Sequence, residues 1–193
     1  MQNTQAKIQQ PVELNGLNLD QMIQTRDAIE ADPSLARFEF RARNNWINGG
    51  HNRSTVKDFY GAGKEDDSRS EPYVFDNGEP PVLLGNNEGM NPVEFLLHAL
   101  AGCVTTTTVL HAAARGIRIR ELSTELDGTI DLQGLLGLDD NVPVGYEQIR
   151  MKLHIKADCS DEELDDLIAF VGNHSPVCST VCRPVPVVIE RVK

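Results

Sequence analysis

A chain of 193 residues, 40% of them hydrophobic, is long enough to bury its own core without disulfide staples. Its formal charge of −11 and pI near 4.8 argue against nucleic-acid binding, which draws on clustered Lys and Arg, and point to an acidic, solvated surface. No basic and apolar leader is visible at the amino end, so the expected location is the cytoplasm, where the four cysteines read as thiols rather than bridges.

Met1 to Asn15 is polar and without period. Asn18 then caps a predicted amphipathic helix carrying Leu19, Met22, Ile23 and Ile29, stopped by Asp32-Pro33. From Arg37 the period changes to two, with Phe38, Phe40, Ala42 and Trp46 on one face. Asn48-Gly49-Gly50 turns the chain into a second strand through Val56 to Tyr60, so a hairpin is expected. Gly61 to Pro72 reads as a surface loop, Tyr73-Val74-Phe75 as a short strand, and Asp76-Asn77-Gly78 as a turn.

The next stretch, Asn91 to Gly116, is the element around which the rest is expected to pack. Asn91 is an N-cap, Pro92 suits the first helical position, and Glu94 stands three residues past the cap, where its carboxylate can bond back to the cap amide. Gly116 after Arg115 predicts a left-handed stop. Between them Phe95, Leu96, Leu97, Leu100, Val104, Val109 and Leu110 leave no polar face, so the helix is expected to be covered on nearly all sides. His98, His111 and the run Thr105 to Thr108 interrupt it, which sets a membrane span aside. Cys103 lies at its middle.

After Gly116 a long strand is predicted through Leu122, Thr124, Leu126, Ile130 and Leu132, with a bulge or bend at Gly128, and then a loop from Gly134 to Gly145. Tyr146 to Ala157 alternates Ile149, Met151, Leu153 and Ile155 with Arg150, Lys152, His154 and Lys156, a strand with one packed and one wet face. Ser160 with Glu163 is a capping box for a helix that Gly172-Asn173 should end. Ser175-Pro176 opens a short helix holding Cys178 and Cys182, and Pro184 to Val192 reads as an edge strand. The class is α+β.

Asn91-Pro92-Val93-Glu94, Leu100-Ala101-Gly102-Cys103, Ala113-Ala114-Arg115-Gly116 and Ser175-Pro176-Val177, with Trp46 and Gly49-Gly50, together resemble the OsmC and organic hydroperoxide resistance (Ohr) family of thiol peroxidases. The resemblance implies residues 1–36 as an amino-terminal extension and 37–193 as an OsmC-like domain. The implied fold has antiparallel sheets wrapped around a long central helix in an intertwined homodimer. The implied activity is reduction of organic hydroperoxides or hydrogen peroxide by a cysteine thiolate in oxidative-stress defence, with a second cysteine resolving the sulfenic acid. A dithiol or thioredoxin-like reductant follows; no cofactor, metal, nucleic acid or membrane partner does.

That chemistry needs a thiolate, a nearby cation and a route out of the sulfenic acid before overoxidation. Cys103 is the implied nucleophile, about eleven residues into its helix and beyond the reach of the helix dipole. Where the family's peroxidases place an arginine after the double glycine this chain has His51, so either Arg53 takes that role, with Arg41 and Arg43 also candidates on the hairpin, or the thiol is less activated. Glu94 stands one residue later than the family's catalytic glutamate, and its cap spacing gives it a second, purely structural reading. Ser175 occupies the position of the family's resolving cysteine, which leaves Cys178 as the nearest replacement, a thiol expected to be acidified at the start of its helix, or else a small buried hydrophobe. Cys159 reads as a surface thiol, His98 and His111 as core or pocket histidines, and the Cys178/Cys182 spacing supports no zinc motif. Besides the peroxidase, a second function stays open: an OsmC-like fold with little turnover that binds a small lipophile or senses thiol redox state.

Overall fold

A computed structural model describes residues 12–192, which fall into two compact units, one up to Phe95 and one from Leu96.

In the first unit a tight turn at Asn15 and Gly16, both with positive φ, joins β1 (Glu13–Leu14) to β2 (Leu17–Asn18). The Asn18 side chain then accepts the Gln21 amide at 3.0 Å and starts α1 (Leu19–Ala31), as its residues predict. Asp32 ends α1 and caps the 3-10 turn Pro33–Ala36.

The expected hairpin is present but shorter. Strands β4 (Arg43–Asn48) and β5 (His51–Val56) pair antiparallel across Gly49-Gly50, while β3 (Glu39–Phe40) and β6 (Phe59–Gly61) form a separate ladder. The reason is aromatic. Phe38, Phe40 and Phe59 gather with ring centroids 5.4 to 6.3 Å apart, so the chain breaks at Arg41-Ala42 and Lys57-Asp58 to let that cluster form its own sheet. Trp46 therefore does not share the phenylalanines' face; its indole N–H donates to the Gly49 carbonyl.

The segment read as a loop supplies β7 (Lys64–Asp66), completing the order β3-β6-β7. Strand β8 (Tyr73–Asn77) completes β4-β5-β8 and absorbs Asp76 and Asn77, which were expected in a turn. Asn77 is buried and donates to Ser54 Oγ, so its side chain needs the strand position.

Helix α2 (Pro92–Ala114) begins as its sequence predicts: Asn91 Oδ1 accepts the Val93 amide at 2.9 Å and Glu94 Oε2 accepts the Asn91 amide at 2.9 Å. It ends at Gly116, with φ of 73°, where the amides of Gly116 and Ile117 donate to the carbonyls of Ala113 and Ala112.

In the second unit β9 (Ile119–Thr129) and β10 (Gln148–Ala157) form a long antiparallel ribbon. On β10 Ile149, Met151, Leu153 and Ile155 are half-buried, while Arg150, His154 and Lys156 face out and pair with Asp127, Glu125 and Glu121 of β9. The bulge expected at Gly128 is absent. Gly128 pairs regularly with Ile149, and it is glycine because a β-carbon there would stand 2.7 Å from the Tyr146 ring; the irregularity lies at Lys156/Ala157. Ile130 and Leu132 do not extend β9: Asp131 accepts the Gln133 amide and caps α3 (Leu132–Leu135).

The Ser160–Glu163 capping box starts α4 (Asp161–His174), which runs through Gly172-Asn173 rather than stopping there, because the Asn173 side chain donates back to the Ala169 carbonyl. Helix α5 (Pro176–Cys182) follows, and Pro184 to Val192 has no regular structure in place of the predicted edge strand. Pro184 and Pro186, with valines that have no ladder partner, leave that segment exposed.

The buried core joins Leu100, Val104 and Ala112 of α2 to Ile117, Leu167 and Val171, with the inner face of the ribbon packed against it. A single chain covers α2 along one side only: Val93, Leu96 and Leu110 remain 38%, 37% and 43% exposed, so the expectation of cover on nearly every side is not met within one chain. By length and composition alone α2 would be apolar enough to cross a membrane. Its buried residues instead take part in the domain core.

Candidate active site

Cys103 occupies the middle of α2, half-buried and free. Its sulfur accepts two hydrogen bonds from the junction between α4 and α5: one from Ser175 Oγ at 3.2 Å and one from the Val177 amide at 3.4 Å. Ser175 is fully buried, and although it stands at the cap position of α5 it makes no side-chain cap bond. Its hydroxyl is turned to the thiol, an outcome that the Ser-Pro cap signal did not reveal.

The backbone around the thiol is heavily bonded. The Cys103 carbonyl accepts the hydroxyls of Thr106 at 3.1 Å and Thr107 at 2.7 Å, and Thr108 donates to the Val104 carbonyl at 2.8 Å. Thr106, Thr107 and Thr108 of the run that interrupts the apolar helix thus spend their hydroxyls on the helix itself, which lets Thr107 and Thr108 be buried at no unsatisfied cost.

One residue beyond the Val177 amide, Cys178 lines with Cys182 a mostly apolar cavity of about 480 Å³, whose other walls are Leu96, Leu100, Val104, Ile149, Met151 and Val181 with Tyr146, Glu147 and Gln148. The two sulfurs are 4.0 Å apart. Burial, and then the Cys182 thiol, push the Cys178 thiol above the usual cysteine range, which corrects the expectation of an acidified thiol at the start of α5. Cys159 is also corrected. It packs against the core instead of lying free on the surface, and burial followed by the carboxylates of Glu163, Asp161 and Asp158 raises its pKa.

His51 and Arg53 are brought together in the first unit by Asp76, which the sequence did not single out. Arg53 Nε and Nη2 donate to the two Asp76 oxygens at 2.9 and 3.2 Å, and His51 Nε2 lies 2.8 Å from Asp76 Oδ1. Arg53, and then His51, hold the Asp76 carboxyl below the usual carboxylate range. The available signal was cross-strand register, since Arg53 and Asp76 are direct partners of β5 and β8. Arg41 is taken by Glu39 and Glu65. Glu94 is held at the start of α2 by the Asn91 amide.

His111 meets Phe170 edge-on at 4.7 Å, and Phe170 stacks on His174 at 3.6 Å with Arg115 over its ring. Burial, then His174 and Arg115, lower the His111 pKa. Among the described residues no group of three or more His, Cys, Asp or Glu side chains is arranged to hold a metal ion.

Residues 85–190 match the family model for OsmC-like protein. No curated protein sequence matches. Solved structures with the same fold include an OsmC-like protein from Mycoplasma pneumoniae, 18% identical with a TM-score of 0.59 over 75% of this chain and 87% of that one. An organic hydroperoxide resistance protein OsmC from Legionella pneumophila is 15% identical with a TM-score of 0.52 over 74% and 88%. A third, an organic hydroperoxide resistance protein from Elizabethkingia anophelis with thiocyanate bound, is 17% identical with a TM-score of 0.50 over 74% and 86%.

Proposed function

The chain belongs to the OsmC-like protein family, and from that premise we propose that it is a thiol-dependent peroxidase that reduces organic hydroperoxides, with hydrogen peroxide as a smaller alternative substrate. The observation that carries the reading is the pair of donors on the Cys103 sulfur, from Ser175 and the Val177 amide; the mostly apolar cavity that Cys178 lines, one residue beyond that amide, suits an alkyl group. The Cys103 thiolate attacks the distal peroxide oxygen, the O–O bond breaks, the alcohol leaves after taking a proton, and Cys103 becomes a sulfenic acid. Cys178 then attacks that sulfur, releasing water and forming a disulfide, which a small dithiol or thioredoxin-like protein reduces.

In this reading Cys103 and Cys178 carry the chemistry. Arg53 and His51 act by fixing Asp76, and Glu94 by fixing the start of α2. The bare residues of α2 support a homodimer, since a second copy would cover Leu96 and Leu110. Work in the cytoplasm as part of oxidative-stress defence fits thiols kept reduced between turnovers.

The test is steady-state consumption of cumene hydroperoxide and hydrogen peroxide by the wild type and by Cys103→Ser, with several dithiol reductants supplied. Catalytic consumption that Cys103→Ser abolishes supports the proposal; equal consumption by both proteins overturns it. A second reading, an OsmC fold that binds a small lipophile or senses redox state with little turnover, draws on the apolar cavity and on serine rather than cysteine at position 175. Tight retention of a lipophile with no peroxide turnover would favour it.

A further inference from the structure

Helix α5 carries two thiols where the peroxidase reading uses one. Cys178 and Cys182 lie one helical turn apart with sulfurs 4.0 Å from each other; Cys178 is half-buried and Cys182 is exposed. Cys178 follows directly on Val177, whose amide touches the Cys103 sulfur of α2, so α5 leads from the neighbourhood of that half-buried thiol through half-buried Cys178 to exposed Cys182.

Resting on the peroxidase reading, we infer that Cys182 is a further catalytic residue, the terminal thiol of a relay that moves the disulfide from Cys103–Cys178 to Cys178–Cys182. The Cys182 thiolate, having lost its proton to solvent, attacks Cys178 Sγ; the Cys103–Cys178 bond breaks, Cys103 leaves as thiolate, and the new bond joins Cys178 to Cys182. The two oxidising equivalents come from the hydroperoxide and pass unchanged to α5, where an external dithiol removes them. Cys103 is returned reduced while the oxidised pair waits at the surface.

Exchange proceeds faster when the thiol expelled is the better leaving group. The raised pKa of Cys178 makes it a slow one, which keeps Cys178 in the bond at each step. The relay also gives a solvent-facing disulfide to a reductant that need not enter the site of Cys103.

The closing step has a conformational cost that can be read out. Residues four apart on a helix hold their β-carbons about 5 to 6 Å apart, whereas a disulfide needs about 3.8 Å. The last turn of α5 must therefore tighten or open. Cys182 is its final residue and the chain beyond has no regular structure to resist this.

The experiment treats the full-length wild type and Cys182→Ser with one equivalent of cumene hydroperoxide, follows peroxide loss, quenches with alkylating agent and maps peptides without reduction. The relay predicts that the wild type ends with Cys103 alkylated and Cys178 joined to Cys182 within one peptide, whereas Cys182→Ser still consumes its one equivalent of peroxide and halts at Cys103–Cys178. Its steady-state turnover with a protein reductant should fall at least tenfold. If peroxide is consumed and the wild type ends at Cys103–Cys178 with Cys182 alkylated, the relay is overturned while the peroxidase reading stands. If peroxide is not consumed and all thiols are alkylated, both fall. As a second readout, amide exchange at residues 179–183 should accelerate on oxidation of the wild type; unchanged protection there beside a mapped Cys178–Cys182 bond is not expected and would overturn the conformational step.

Discussion

Ser175 sits where a helix cap would, yet its hydroxyl is 3.2 Å from the sulfur of Cys103, seventy-two residues earlier in the chain. It is fully buried at that contact, and α5 starts without its help. Ser175→Ala should therefore leave helix content unchanged by circular dichroism and slow peroxide consumption by about tenfold, the scale of losing one hydrogen bond to a charged group. Ser175→Cys puts a thiol at that contact, and peptide mapping should then find Cys103 joined to position 175 in preference to Cys178.

The bare side of α2 gives a second expectation. The wild type should sediment as a dimer at micromolar concentration, and Leu110→Asp, which sets a charge on a half-covered apolar position, should shift it toward the 21.3 kDa single chain. A wild type that is wholly monomeric and folded would refute the dimer.

Asp76 links stability to acid. Its folded pKa lies below the unfolded value because Arg53 and His51 bond its ionised form, so its contribution is complete above the unfolded pKa and is lost as pH falls through the folded one. Asp76→Asn should lower the urea midpoint at neutral pH, and the difference from wild type should shrink from about pH 4 downward.

His111 titrates in the same direction but in a higher pH window. Burial keeps its folded pKa below the unfolded value, so the neutral ring is favoured in the fold, and its contribution is present above about pH 6.5 and lost as pH falls below it. His111→Phe preserves the edge-on contact with Phe170 and should flatten the dependence of the urea midpoint between about pH 5 and pH 7.

Gly128→Ala would drive a methyl to 2.7 Å from the Tyr146 ring and 3.1 Å from the Gln148 carbonyl oxygen. Chemical denaturation should show a loss of about 1 to 3 kcal/mol, with the ribbon register retained.

The elements whose signals were local were legible from the residues: the Asn91 and Ser160 caps, the alternation along β10 and the left-handed stop at Gly116. What was not legible depends on partners far along the chain. Phe38, Phe40 and Phe59 split one expected hairpin into two sheets only because the fold brings their rings together. The site divides in the same manner. Cys103 was marked by its neighbours in sequence, whereas the diversion of Ser175 from capping to the sulfur and the capture of Arg53 by Asp76 follow from side chains 72 and 23 positions away.

The contact between positions 103 and 175 also has an order in time. Synthesis proceeds from the amino end, so Cys103 leaves the ribosome well before Ser175 and Val177, and a nascent chain can offer its sulfur neither donor until residue 175 has emerged. The thiol's surroundings are thus among the last features to be assembled. A chain stalled or cleaved ahead of residue 175 would carry the cysteine but none of the geometry that readies it, which confines the chemistry to polypeptides whose translation has passed that point.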